Sequence, residues 1–196
     1  MENFSQAADK NKGPILNTLS KWLASHQVVL EIGSGSGQHA IHFTTKLKDI
    51  VWQPTEHPKA MPILVRNIFN HGNSNILKPK SLDLALEDWQ TEPADCVYSA
   101  NVVHIVSETL VKKLIHGASK TLSDGGLLAL YGPFKYRGKF TTESNEEFDR
   151  WLKIRDRNSG VRDFEWLQDL ALDFNFQLVE DRSMPANNQF LAFKRL

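Results

Sequence analysis

At 196 residues, 41% of them hydrophobic and 23% charged, the chain reads as one globular domain over residues 1–196 with a single sizeable core. Lys and Arg together number 23, as do Asp and Glu, so no net charge argues for nucleic acid or an anionic membrane as a partner. One cysteine, Cys96, excludes an internal disulfide framework and a multi-cysteine zinc site, and no apolar run approaches the ~18 residues of a membrane span.

The opening MENFSQAADKNK lacks the apolar segment of a secretory leader, so a cytoplasmic location is expected. A helix is predicted to start over residues 11–14, with Pro14 in its first turn and an apolar stripe of Ile15, Leu16, Leu19, Trp22 and Leu23; it dominates an N-terminal helical segment over 1–26. Residues 28–32 form a short buried strand, and after Gly33, Gly35 and Gly37 a helix carries Ala40, Ile41, Phe43 and Leu47. A second strand is predicted over 50–53, closed by Pro54, then an amphipathic helix over 59–70 ended by His71-Gly72. Residues 78–84 form a weak strand, 95–100 a stronger one, and 107–121 a helix. Residues 123–126 read as a turn before a strand over 127–131. Helical spacing returns over 140–157 and 163–172, and two strands, 176–181 and 189–194, close the chain.

Strands alternating with helices of this length define a doubly wound α/β sheet, and the last two strands, with no helix between them, are expected to pair antiparallel at one edge. In such sheets ligands bind beyond the carboxyl ends of the strands. There the glycine turn lets a ligand lie against the backbone, and the following helix start offers free N–H groups to an anion. A dinucleotide fingerprint needs glycine at 38, where Gln38 stands; the pattern present is E-x-G-x-G-x-G, led by Glu31. Glu56 lies about twenty residues further on, where a carboxylate can accept both hydroxyls of a ribose. Asp83, after the third strand, can accept from an exocyclic amine, with Leu82 and Leu84 flanking the ring. Asn101, after the fourth, projects into the same crevice.

These residues together resemble the class I S-adenosylmethionine-dependent methyltransferases, through VLEIGSGSG, the acid of WQPTEHP, LDLALEDW, YSANVVHIV and DGGLLALYGPF. More narrowly, NKGPIL, EIGSGSGQHA, WQPTE, SANVVHI and YGPFKYRGKFTTESNEEFD are similar to the methyltransferase-like 26 family, a group long classed as a domain of unknown function. The resemblance implies a Rossmann-like seven-stranded mixed sheet, order 3-2-1-4-5-7-6 with the seventh strand antiparallel, and S-adenosylmethionine as cofactor. It implies that Gly33, Gly35 and Gly37 hold the methionine part and that Glu31 orients the turn or the amino group. Glu56 would hold the ribose, Asp83 and Leu84 the adenine end, and Asn101 would lie near the sulfonium.

For the transfer itself, His104 is a candidate base or substrate contact and Tyr131 a second catalytic candidate. Residues 131–136 read as an aromatic and basic loop whose Phe134, Lys135 and Tyr136 wall the acceptor site. Asn11, Lys12 and Pro14 can close over the cofactor from the N-terminal side. His39 and His42 share a helix face without a third ligand, so no metal site is expected. The cations Lys135, Arg137 and Lys139 are followed by Glu143, Glu146, Glu147 and Asp149, a solvated face rather than a nucleic-acid groove. The Asn-Pro-Pro-aromatic motif of many base and glutamine N-methyltransferases is absent, because Val102, Val103 and His104 follow Asn101, which counts against a flipped base or a planar amide nitrogen as acceptor; a small-molecule acceptor is the leading expectation. Two other functions fit less well: a cofactor-binding protein without catalysis, and a NAD(P)-dependent reductase, against which Gln38 and the antiparallel ending both count.

Overall fold

The computed structural model describes residues 1–196. Its elements, in chain order, are α1 (Gln6–Leu19), β1 (Val28–Ile32), α2 (Gln38–Lys46), β2 (Val51–Glu56), α3 (Met61–His71), β3 (Lys80–Ser81), β4 (Ala94–Ala100) and α4 (Glu108–Thr121). They continue with β5 (Leu122–Gly132), β6 (Phe134–Tyr136), β7 (Lys139–Phe140), α5 (Glu143–Arg155), β8 (Arg162–Asp163), α6 (Phe164–Asp173), β9 (Phe176–Met184) and β10 (Asn188–Arg195).

Period-two alternation splits the side chains of the strands between two cores. Leu30, Ile32, Val97, Leu128, Leu130 and Leu191 face one side, where Val111, Leu114 and Ile115 of α4 and Leu167 and Ala171 of α6 cover them. Val29, Trp52, Cys96, Tyr98, Ala129 and Phe190 face the other, against Ile15 and Leu19 of α1 and Ala40 and Phe43 of α2. The main sheet runs β3-β2-β1-β4-β5-β10-β9, with β10 antiparallel to both neighbours. Counting only the strands of this sheet, that is the expected order 3-2-1-4-5-7-6. The mixed α/β fold with its antiparallel seventh strand is therefore as the sequence predicts. A small second sheet, β7-β6-β8, was not foreseen.

Several boundaries move, each for a local reason. The first helix begins five residues before the predicted start, because the Ser5 side chain caps it by accepting from Ala8 N at 3.2 Å; Pro14 lies inside the helix, not in its first turn. β2 runs through Pro54 instead of stopping there. The missing proline N–H falls on the β3 side, in the gap between the isolated Trp52↔Ile76 bridge and the first β3 pair, Thr55↔Lys80, and the Gln53 side chain supplies a donor there instead, to Lys78 O at 2.9 Å. β3 shrinks to two residues. Residues 123–126 are not a free turn but part of β5, where the register against β4 jumps from Ala94↔Leu122 to Cys96↔Leu127. The predicted loop over 131–136 is instead the end of β5 followed by β6.

Candidate active site

The glycine turn leaves β1 and delivers the chain to α2 with Gly33, Gly35 and Gly37 all at positive φ. Each has its own reason. A Cβ on Gly33 would lie 2.6 Å from Val102 Cγ2, and one on Gly37 would lie 2.9 Å from Ile68 Cδ1. Gly35 faces open space, with nothing within 4 Å of that position, so it is the glycine that leaves room for a ligand.

Glu31 sits beneath this turn and is 2% exposed. Its Oε2 accepts from Ser34 Oγ at 2.8 Å and from Trp52 Nε1 at 2.9 Å. Burial raises its pKa to about 7, against the lowering effect of those two bonds. Glu56, at the end of β2, takes Gly35 N at 2.6 Å on one carboxylate oxygen and His57 N at 2.7 Å on the other. It therefore ties the turn to the second strand while each oxygen keeps a free lone pair. Asp83 accepts from Ala85 N at 2.9 Å and lies 3.9 Å from His57 Nε2.

Two cavities meet here. One, of about 310 Å³, is lined by Glu56, His57, Asp83 and the apolar Leu82, Leu84, Val102 and Ile105; the other, of about 140 Å³, by Glu31, Ser34, Gly35, Ser36 and His39. Gly33 and Asn101 border both, so the two form one groove along the carboxyl ends of β1, β2 and β4. Glu31, Gly33, Gly35, Glu56, Asp83, Leu84 and Asn101 thus come together on it, while Gly37 packs behind the turn. Asn101 holds φ +59°, a conformation asparagine tolerates better than most residues, and so turns the chain sharply off β4.

His104 lies past that turn, 4% exposed, its ring edge-on to Phe148 at 5.3 Å. A Cβ on Gly132 would come within 3.2 Å of His104 Nδ1, so the ring packs closely over that glycine. Burial, with Arg162 nearby, lowers the His104 pKa to about 4 and keeps the ring neutral. The remaining candidates are placed elsewhere. Tyr131 is buried, its hydroxyl against Asn11 and Asn188. Phe134 is 1% exposed, in the core. Lys135 lines a separate polar cavity of about 440 Å³, and the Tyr136 hydroxyl donates to Asp181 at 2.8 Å. A run that reads as an exposed aromatic loop is here a strand with one side in the core, so none of the three walls the groove.

The N-terminal segment crosses the groove one turn earlier than predicted. Ser5 and Ala8 line it, whereas Lys12 pairs with Asp9 and Pro14 O accepts from Thr18. Asn11 Oδ1 meets His39 Nε2 at 2.8 Å, and His39 Nδ1 takes the Tyr98 hydroxyl at 3.0 Å, the tautomer of a neutral ring. Burial lowers the His39 pKa to about 4. His39 is thus engaged within the fold, and no three His, Cys, Asp or Glu side chains converge as a metal-ligand set.

Sequence reasoning missed the residues that hold this cover down. Gln38 Oε1 accepts from Ser5 N at 2.6 Å and its Nε2 donates to Ser5 O at 3.1 Å. Asn67 does the same for Glu2, at 2.8 and 2.9 Å, and also donates to Ser36 O at 3.0 Å. Gln38 was visible as the residue that breaks the dinucleotide fingerprint; Asn67 carried no local signal.

This fold is the Rossmann-like fold of S-adenosylmethionine-dependent methyltransferases. An O-methyltransferase family protein from Burkholderia thailandensis superposes with a TM-score of 0.81 at 15% identity, over 96% of this chain and 57% of that one. An O-methyltransferase family 2 protein from Planctomyces limnophilus in complex with apigenin gives 0.80 at 14% identity, over 97% and 60%. Human N-acetylserotonin methyltransferase in complex with S-adenosylmethionine gives 0.79 at 13% identity, over 97% and 53%. The chain spans less than two thirds of the length of these proteins, and at such identities the likeness is one of fold. The chain itself belongs to the family described as "Protein of unknown function (DUF938)", which matches residues 2–195. No helix is long and apolar enough to cross a membrane.

Proposed function

We propose that this protein is an S-adenosylmethionine-dependent methyltransferase acting on a small-molecule acceptor. The observation that carries this reading is the single groove that collects Glu31, Glu56 and Asp83 from the ends of three successive strands around an open glycine. The order of its parts matches the cofactor's chemistry. Glu31, open to the smaller cavity, suits an ammonium; the free lone pairs of Glu56 suit two ribose hydroxyls; Asp83 between Leu82 and Leu84 suits an amine on a flat ring. The bound cofactor supplies a methyl group already activated on a sulfonium.

What remains for the chain is to bind, orient and exclude water. Val102 and Ile105 shield one side of the groove, and Ser5 and Ala8 the other. His104 borders neither cavity of the groove; its neutral ring has one unprotonated nitrogen, which can accept from an O–H or N–H of an acceptor that reaches it. The quoted motifs further place the chain near the methyltransferase-like 26 family, and a cytoplasmic location belongs to the same reading.

The test is a thermal-shift titration with S-adenosylhomocysteine against NAD, followed by incubation of the protein with methyl-labelled cofactor and a metabolite extract. At about 100 times its Kd a specific ligand stabilises by about 2.7 kcal/mol. No shift with millimolar S-adenosylhomocysteine would reject the proposal. A shift without label transfer would leave a cofactor-binding regulatory protein. A shift with NAD alone would return the chain to the reductases.

A further inference from the structure

The loop that follows Asn101 makes little structure of its own. Within it only the Ile105 and Val106 amides are bonded, both to Val102 O. Yet four consecutive carbonyls in it are each taken by one distant segment. Arg162 Nε donates to Val103 O at 3.2 Å and its Nη2 to Val106 O; Gly160 N donates to His104 O at 2.9 Å; Ser159 Oγ donates to Ile105 O at 2.5 Å. The Arg162 side chain is deeply buried, the residue 7% exposed, and its remaining partners are Asn158 O at 2.7 Å and Glu108 Oε1 at 3.6 Å.

The segment that does this is itself fixed from two sides. Asp149 of α5 accepts from Val161 N at 2.8 Å and pairs with Lys153 at 2.7 Å. A Cβ on Gly160 would lie 2.9 Å from that carboxylate, so the backbone is pressed against α5. Arg162 and Asp163 form β8, paired with Phe134 and Lys135 of β6. The loop so held presents Val102, Ile105 and Val106 to the groove and the His104 ring beneath Gly132.

We propose that Ser159–Arg162 is a latch that fixes the loop after β4 in its ligand-binding shape, and that Arg162 is a positioning residue. Arg162 reaches two carbonyls three residues apart with two separate nitrogens of one rigid plane, whereas an ammonium donates from a single point. The latch acts on the groove through Val102, Ile105 and Val106, and on His104 by setting its depth. Its effect on cofactor affinity rests on the methyltransferase reading; its effect on the loop does not.

The experiment compares the full chain with Ser159→Ala, which removes one bond, and with Arg162→Lys. Hydrogen exchange at the Ile105 and Val106 amides, the NMR titration of the His104 imidazole and calorimetry with S-adenosylhomocysteine are read together. Loss of one such bond is expected to speed exchange at the two amides by about tenfold, with Val97 and Tyr98 of β4 unchanged. The His104 titration should move up toward the ordinary histidine range, and S-adenosylhomocysteine should bind about tenfold more weakly. Exchange within about twofold of the parent in Ser159→Ala, or faster exchange spread equally over β4, overturns the latch. Should Arg162→Lys fail to fold, Ser159→Ala alone decides. Should the parent bind no S-adenosylhomocysteine, the methyltransferase reading falls, and exchange with the His104 titration still judges the latch.

Discussion

Three buried groups pull the response of this protein to pH in opposite directions. Glu31, raised by burial to about 7, keeps a proton in the folded state that the unfolded chain gives up near 4.5. Its contribution is therefore present at low pH and is lost as pH rises through 7. His39 and His104, both lowered by burial to about 4, refuse protons that the unfolded chain takes up near 6.5, so their contribution is lost as pH falls from 6.5 to 4. Between pH 6.5 and 4.5 two histidines oppose one glutamate, and these groups should give a loss of stability on acidification of roughly one proton's worth, about 1.4 kcal/mol per pH unit. Glu31→Gln removes the counterweight, and the slope from the histidines should approach two. Urea unfolding of both proteins at pH 6.5 and 5.5 measures this; equal slopes would contradict it. The glycines give a sharper contrast. Gly33→Ala drives a methyl into Val102 at positive φ and should cost about 2–3 kcal/mol. Gly35→Arg meets no neighbour, should cost only the backbone penalty of about 1 kcal/mol, and should abolish S-adenosylhomocysteine binding in calorimetry.

At the scale of elements, the cover over the groove depends on two amide side chains that each grip a backbone residue from both sides. Gln38→Ala or Asn67→Ala strips both bonds to Ser5 or Glu2 and also leaves a buried partner short. Either variant should make residues 1–5 the first site of proteolysis and weaken S-adenosylhomocysteine binding by about tenfold, with little change in global unfolding. Undiminished affinity in both would show that the N-terminal segment is no part of the site. Element boundaries also show where local reading ends. Pro54 reads as a strand stop because proline removes a donor, and only the sheet reveals that the lost donor falls in a gap between the Trp52↔Ile76 bridge and the Thr55↔Lys80 pair. Residues 131–136 read as a loop because Gly132 and Pro133 punctuate them. Their place in β5 depends on β10, nearly sixty residues later, and their place in β6 on β8, nearly thirty residues later.

For the whole molecule, the alternation of strand and helix, the glycine spacing and the acids after successive strands were legible in the sequence, because each is a local matter. Apolar periodicity decides an element, positive φ selects glycine, and a parallel sheet delivers every strand's last residues to one edge. From these the fold class and several of the residues that border the groove could be named before any coordinates, while the sheet order came only from the resemblance. The tertiary structure alone decided the state and support of those residues. Glu31 is an ordinary carboxylate by sequence, and its pKa rises to about 7 only because the fold buries it, against the pull of its bonds from Trp52 and Ser34. Gln38 to Ser5, Asn67 to Glu2 and Arg162 to the loop after β4 join positions far apart in the chain, and no periodicity records which polar side chain will meet which carbonyl. That pairing is set by how the helices pack on the sheet, so it appears only once the chain is folded.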